Sequence, residues 1–290
     1  MKLASFSIEG RRSIGVVRAD GIVDLTSTGA LPATMETLLD LGPEALDKAR
    51  ALADHGVAIP LASVTLHAPV ANPRKFLGIA ANYQSHIDEV LASNPAYVPP
   101  VFQRWFVKLP TSINGPYDPI LMPPEGDQLD WEVELAIIIG QRCRRVAPER
   151  AHEVVAGYTI CNDISLRDWQ KHSPTIMLGK SFDSHGPLGP WIVTPDELGD
   201  PHALRMRCLV NGEVVQDGST SEMIHDCWQQ IAYLSTVCTL EPGDVIATGT
   251  PKGTGGSMRP PRFLKAGDVV RCEIERIGAL EATIASEAIN

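Results

Sequence analysis

Aromatic side chains are scarce in this sequence, 6% of its 290 residues. That is too few to suggest the platform of stacked rings that binds single-stranded nucleic acid. Positive charge is short as well: 25 Lys and Arg face 35 Asp and Glu, a net charge of −10. Such a balance disfavours nucleic acid and anionic membrane surfaces as partners. The basic residues Arg142, Arg144 and Arg145 do cluster, but three arginines after a strand read as a solvated turn. No apolar run reaches membrane-spanning length, and Met1 to Gly10 lacks the apolar core of a signal peptide. Six cysteines (Cys143, Cys161, Cys208, Cys227, Cys238 and Cys272) are scattered without C-x-x-C spacing. They therefore suggest reduced thiols in a cytoplasmic protein, and neither a disulfide framework nor a zinc site.

What is present is an ordinary globular composition, 44% hydrophobic and 21% charged, in a chain long enough for a large domain plus a small one. Residues 1–68 read as a small α/β module. Strand-like pieces Leu3–Ile8, Gly15–Arg18 and Ile22–Asp24 are joined by turns at Glu9-Gly10 and Asp20-Gly21, and a helical stretch from Met35 to His55 follows, with Pro43 in a first turn and Gly56 past its end. His55 and His67 stand alone there, and no catalytic cluster is visible. Residues 69–290 form the second unit. Within it, residues 82–130 carry so many prolines (Pro95, Pro99, Pro100, Pro110, Pro116, Pro119, Pro123, Pro124) that the stretch reads as a functional loop or a partly disordered one. Asn211-Gly212 marks a hairpin, and Ser221 is expected to cap a helix with Ile224, Cys227, Trp228, Ile231 and Leu234 on its apolar face. The fold class is α+β, mostly β.

The most informative piece is Trp131-Glu132-Val133-Glu134-Leu135-Ala136-Ile137-Ile138-Ile139-Gly140. As a strand it places Trp131, Val133, Leu135, Ile137 and Ile139 on one face, with Glu132 and Glu134 beside Ala136 and Ile138 on the other. A solvated edge would explain an E-x-E pair, but Ile138 on the same face and the long apolar run argue for burial. Two buried carboxylates repel each other and are costly to desolvate unless a cation sits between them. A third acid, Asp163, falls where the next strand ends, in Cys161-Asn162-Asp163. It can serve as a helix cap or complete a set of three oxygen ligands suited to Mg²⁺, Mn²⁺ or Ca²⁺. In Asn82-Tyr83-Gln84-Ser85-His86-Ile87-Asp88-Glu89, His86 and Glu89 stand three apart and would touch on a helical turn, either as a surface contact or as a carboxylate-held general base.

In order along the chain stand Gly78-Ile79-Ala80-Ala81-Asn82-Tyr83 with His86 and Glu89; Glu132-Val133-Glu134; Asn162-Asp163 with Arg167-Asp168-Trp169-Gln170; Gly179-Lys180-Ser181-Phe182-Asp183; and Thr248-Gly249-Thr250-Pro251. This series resembles the fumarylacetoacetate hydrolase family over residues 69–285. The resemblance implies a mixed β-roll for the larger unit, a homodimer, and action on small 2-oxo acids through a divalent cation, Mg²⁺ or Mn²⁺. By motif, Glu132, Glu134 and Asp163 match the metal ligands, and His86 and Glu89 match a lid dyad that activates water. Lys180 matches a lysine that stabilises an enolate oxygen. Gln170, Gly249 and Thr250 match substrate-contacting positions. Segments Ser173–Leu178 and Ser257–Pro261 depart from the archetypal tyrosine-catabolic enzyme and bear on specificity.

The resulting expectation is a hydrolase of carbon–carbon bonds in 2,4-dioxo acids of the acylpyruvate type. Oxaloacetate decarboxylation and isomerisation or tautomerisation of a 2-hydroxydienoate are alternatives on the same metal–enolate chemistry. A non-catalytic metabolite-binding homologue is the alternative of another class.

Overall fold

The computed structural model describes every residue except Thr28, Ile289 and Asn290. Its organising element is the strand Val133–Ile139, buried along its whole length. Alternation decides what each face meets. Val133, Leu135, Ile137 and Ile139 join Trp131 in a core shared with Met206, Val270 and Leu280 of a five-stranded sheet. Ala136 and Ile138 point the opposite way, into a second core with Met35, Leu38 and Ala49. Each large aliphatic side chain so buried contributes about 1.5–3 kcal/mol.

The strand lies inside a twelve-stranded sheet, antiparallel to Val155–Asn162 on one side and to Val245–Ala247 on the other. From Val245–Ala247 the sheet continues through Phe76–Ala80 to the edge strand Arg104–Lys108. In the other direction it passes through Gly186–Val193 to Lys2–Ile8, with Lys2 opposite Val193 and Leu3 opposite Ile192. Backbone pairing is therefore continuous from the first 68 residues into the rest of the chain. The five-stranded sheet runs Glu213–Ser219, Arg205–Val210, Val269–Ile274, Gly278–Ser286, Ile120–Met122, the last pair parallel. This is the mostly-β, mixed-sheet α+β architecture expected, and among the described residues no helix is long and apolar enough to cross a membrane.

Three local expectations need correcting. The proline-rich stretch 82–130 is neither structureless nor one loop: it holds the helix Gln84–Ser93 and the strand Arg104–Lys108. The helix contains no proline, and Pro95, Pro99 and Pro100 all fall in the connection after it. With Ile87 as its one buried residue, the helix has no apolar stripe to reveal it. The expected helix Met35–His55 is two, Met35–Asp40 and Pro43–His55, broken where Gly42 takes φ 76°. The cap of the helix Cys227–Val237 is Asp226, which accepts from the Gln229 N–H while the Gln229 side chain returns a bond, and not Ser221. Ile224 stands outside that helix and is exposed. The hairpin at Asn211-Gly212 is present, with φ of 53° and 82° at the two turn residues.

Candidate active site

Glu134 lies near the start of the strand Val133–Ile139 and Glu132 just before it, on the face that Ala136 and Ile138 share. Asp163 follows the neighbouring strand Val155–Asn162 by one residue, and its N–H donates to the Glu132 carbonyl at 2.9 Å. One carboxylate oxygen from each of the three acids lies within 4.8 Å of the others, and all three residues are buried.

Their electrostatic settings differ. Burial pushes Glu132 up, but the Lys180 ammonium at 2.8 Å and the Arg167 guanidinium at 2.6 Å outweigh it and hold this carboxyl well below the usual range. Asp163 accepts from Lys108 at 2.7 Å and also from Lys180, so it is an ion-paired carboxylate and not a helix cap. Among the described residues Glu134 has no ion-pair partner of its own. One oxygen accepts the Gly249 N–H at 2.9 Å. Burial, then Asp163, then Glu132 push its pKa far up. A buried carboxylate short of positive charge, facing two others through oxygen atoms alone, suits a hard divalent cation. The three acids thus fit the metal that the motif implies.

Two buried lysines meet at this cluster. Lys180 bridges Glu132 and Asp163, while Lys108 donates to Asp163 and to the Lys180 carbonyl. Lys108 was not singled out from the sequence. Its signal was there in Arg104-Trp105-Phe106-Val107-Lys108, where alternation puts Lys108 on the inward face with the buried Phe106. Arg167 belongs to the Asn162-Asp163…Arg167-Asp168-Trp169-Gln170 motif, in which the sequence gives it no role. It is held by Asp130 at 2.8 Å, reaches the Gln170 side chain at 3.1 Å and grips Glu132. Asp130 also accepts the N–H groups of Gly255 and Gly256 at 2.7 and 2.9 Å. One carboxylate therefore joins the arginine to the 253–257 turn.

His86 and Glu89 share one face of the helix Gln84–Ser93, with His86 Nδ1 3.4 Å from a Glu89 oxygen. Glu89 is half-buried. Burial raises its pKa, but the hydrogen bonds from His86 and from the Gly253 N–H, at 3.1 Å, bring it below the ordinary value. The imidazole is therefore held by a carboxylate that is itself fixed. His86, Glu132, Glu134, Gln170, Lys180 and Thr250 line one narrow cavity of about 80 Å³.

Several of the donors at Gly249 and Thr250 are already engaged within the protein. The Gly249 N–H is committed to Glu134, and its φ of 93° is one that side chains rarely adopt. The Thr250 hydroxyl donates to the Val133 carbonyl at 2.9 Å and accepts from Gln216 at 2.9 Å. What Thr250 still offers is its backbone N–H, which has no partner among the described residues.

Gln216 comes from the five-stranded sheet and is 1% exposed. Its carbonyl oxygen accepts the Val133 N–H at 3.0 Å, between the two glutamates, and its amide donates to Pro251 O at 2.9 Å. Gln216→Leu would leave both backbone groups buried and unpaired. Urea unfolding is expected to show a loss of about 2–4 kcal/mol, with a rise in the substrate's KM as the Thr250 turn loosens. An unfolding midpoint equal to that of the parent would contradict this.

The family model for the fumarylacetoacetate (FAA) hydrolase C-terminal region matches residues 75–285. A mitochondrial oxaloacetate tautomerase of Rattus norvegicus is 44% identical over 263 residues, 90% of this chain and 82% of the relative. Among solved structures, a fumarylacetoacetate hydrolase from psychrophilic Exiguobacterium antarcticum superposes with a TM-score of 0.85 at 39% identity, covering 99% of this chain and 100% of that one. A maleylpyruvate hydrolase from Sphingobium sp. SYK-6, in complex with manganese(II) and pyruvate, superposes with a TM-score of 0.82 at 34% identity, with the same coverage.

Proposed function

Because the chain belongs to the fumarylacetoacetate hydrolase family, we propose that it is a divalent-metal-dependent tautomerase that interconverts the keto and enol forms of a 2-oxo dicarboxylic acid, with oxaloacetate as the type substrate. The observation that carries this reading is the meeting of a carboxylate-held imidazole with a buried three-carboxylate cluster in one cavity. The name of the rat relative supports oxaloacetate over a longer acylpyruvate. Carbon–carbon hydrolysis thereby becomes the second reading.

A divalent cation on Glu132, Glu134 and Asp163, Mg²⁺ or Mn²⁺ by the hardness of the donors, would supply Lewis-acid stabilisation for the negative charge that develops on the 2-oxo oxygen. The chain's own groups do the rest. The free Thr250 N–H and the Gln170 amide orient the substrate head. His86 Nε2 carries the proton: it takes it from C3 and releases it to the oxygen, or the reverse, so the proton count is unchanged. Glu89 holds the ring in place through Nδ1. The Lys180 ammonium adds positive charge at the oxygen that becomes enolic.

Hydrolysis of an acylpyruvate is favoured by one observation, the same dyad, which is also suited to deprotonating water. Oxaloacetate decarboxylation would need the enolate alone, whereas dienoate isomerisation, like tautomerisation, also needs a proton carrier. The six free thiols suit a reducing compartment, cytoplasm or mitochondrial matrix, and the proposed enzyme acts as a homodimer. The test follows loss of the oxaloacetate enol absorbance with Mg²⁺ or Mn²⁺, beside pyruvate release from a panel of acylpyruvates. Acceleration of the enol–keto exchange is expected, and EDTA should abolish it. Exchange at the uncatalysed rate, with rapid release of pyruvate, would hand the function to the second reading.

A further inference from the structure

Beside the cavity that holds the acids lies an outer cleft of about 470 Å³, and His86 and Arg167 line both. Lys171 lines the outer cleft and follows Gln170, a wall residue of the inner cavity, by one position. Its ammonium has no hydrogen-bond or ion-pair partner among the described residues.

Charge balance gives that free cation a purpose. Around the cavity, Glu89, Asp130, Glu132, Glu134 and Asp163 face Lys108, Arg167 and Lys180. The carboxylates thus outnumber the cationic side chains by two, the charge of one divalent cation. A 2-oxo diacid then brings two more. Its head carboxylate has the free Thr250 N–H. Its distal carboxylate finds the inner cations already bound, Lys108 and Lys180 to Asp163 and Arg167 to Asp130 and Glu132. A carboxylate drawn from water into a narrow site without a counter-charge is costly.

We propose that Lys171 is the recognition site for the distal carboxylate, so that the outer cleft selects dicarboxylic over monocarboxylic 2-oxo acids. This inference rests on the tautomerase reading for its substrate class, but the lysine's role is a matter of binding and does not depend on which reaction follows. Val90, Pro261 and Phe263 line the same cleft, but Lys171 is exposed there, so the charge pair it forms is screened and modest.

The test uses two unreactive ligands on the Mg²⁺-loaded protein, with affinities measured by calorimetry. Oxalate fills the head site alone, whereas 3,3-difluorooxaloacetate, which cannot enolise, also carries a distal carboxylate. In Lys171→Gln the difluoro diacid is expected to weaken roughly five-fold, in Lys171→Glu roughly twenty-fold or more, and in Lys171→Arg less than about two-fold. The Lys171→Gln change should move oxalate by less than about two-fold. A diacid-to-oxalate ratio that stays constant across the three variants would overturn the proposal. So would equal weakening of both ligands, which would reduce Lys171 to a general contribution to the field. Failure of the parent protein to accelerate oxaloacetate tautomerisation would instead count against the function above and leave this comparison intact.

Discussion

Glu134→Gln is expected to raise the thermal stability of the metal-free protein while it removes metal-dependent activity. Of the three clustered acids, Glu134 alone lacks a lysine or arginine partner, and burial together with Asp163 and Glu132 pushes its carboxyl toward the neutral form. A carboxyl raised in the folded state binds its proton more tightly there than in the unfolded chain. Without metal, the contribution of Glu134 to stability is therefore greatest at low pH and is lost as pH rises above the ordinary carboxylate range toward the raised folded value. Glutamine keeps the shape, cannot ionise, and can donate to the neighbouring carboxylates. In EDTA at neutral pH the variant should gain about 1 kcal/mol or more in unfolding free energy, and the gain should shrink as pH falls. With Mg²⁺ or Mn²⁺ the order reverses: the parent gains stability from the ion, and the variant loses about 10²-fold or more in affinity, with turnover falling alongside. Melting curves in EDTA and in Mg²⁺, at two pH values, read all of this. A variant whose midpoint still rises with Mg²⁺ as far as the parent's would remove Glu134 from the metal centre.

How much of this site could be read from the chain depended on how local each signal was. Alternation alone put Glu132 and Glu134 on one face of a buried strand, because a strand's period of two leaves no freedom once the opposite face is apolar. The pairing of His86 with Glu89 was equally local, three residues apart on a helix. The groups that complete the electrostatics were not local. Lys108 reaches Asp163 across 55 residues, and Gln216 reaches the Val133 N–H across 83. Both sit on strands whose neighbours are chosen by sheet order, which periodicity does not encode. Composition misled in 82–130, where prolines in the connections hid a helix held by the docking of Ser85 and Glu89 onto the Lys252-Gly253 turn and not by an apolar stripe. The motif that contains Thr250, a residue of the cavity wall, does not say which of its donors is free, since that depends on the Val133 carbonyl and on Gln216 arriving from the other sheet.

His86→Ala is expected to lower the turnover of oxaloacetate tautomerisation by about 10² to 10⁴, the usual worth of a positioned proton carrier, and to leave metal affinity unchanged. The imidazole lines the cavity but is not one of the clustered ligand acids, so its removal should not disturb the cation. Lys180 is a poor substitute. It is hydrogen-bonded to Glu132 and Asp163, and the fields of those carboxylates raise its pKa despite burial, which keeps the ammonium charged. A group locked in that form can stabilise an enolate oxygen but cannot accept a proton from C3. Added imidazole should enter the space left by the side chain and restore part of the rate, whereas a histidine lost for structural reasons would not be rescued. The two reactions then separate on the same variant. Tautomerisation needs the imidazole once, to move a proton. Hydrolysis needs it to generate the nucleophile as well, and a small base free in the cavity positions a water poorly. Rescue should therefore be larger for oxaloacetate than for any acylpyruvate. If His86→Ala kept the parental tautomerase rate while acylpyruvate cleavage disappeared, the dyad would belong to the hydrolytic reading, and the keto–enol exchange would have to be assigned to another proton carrier.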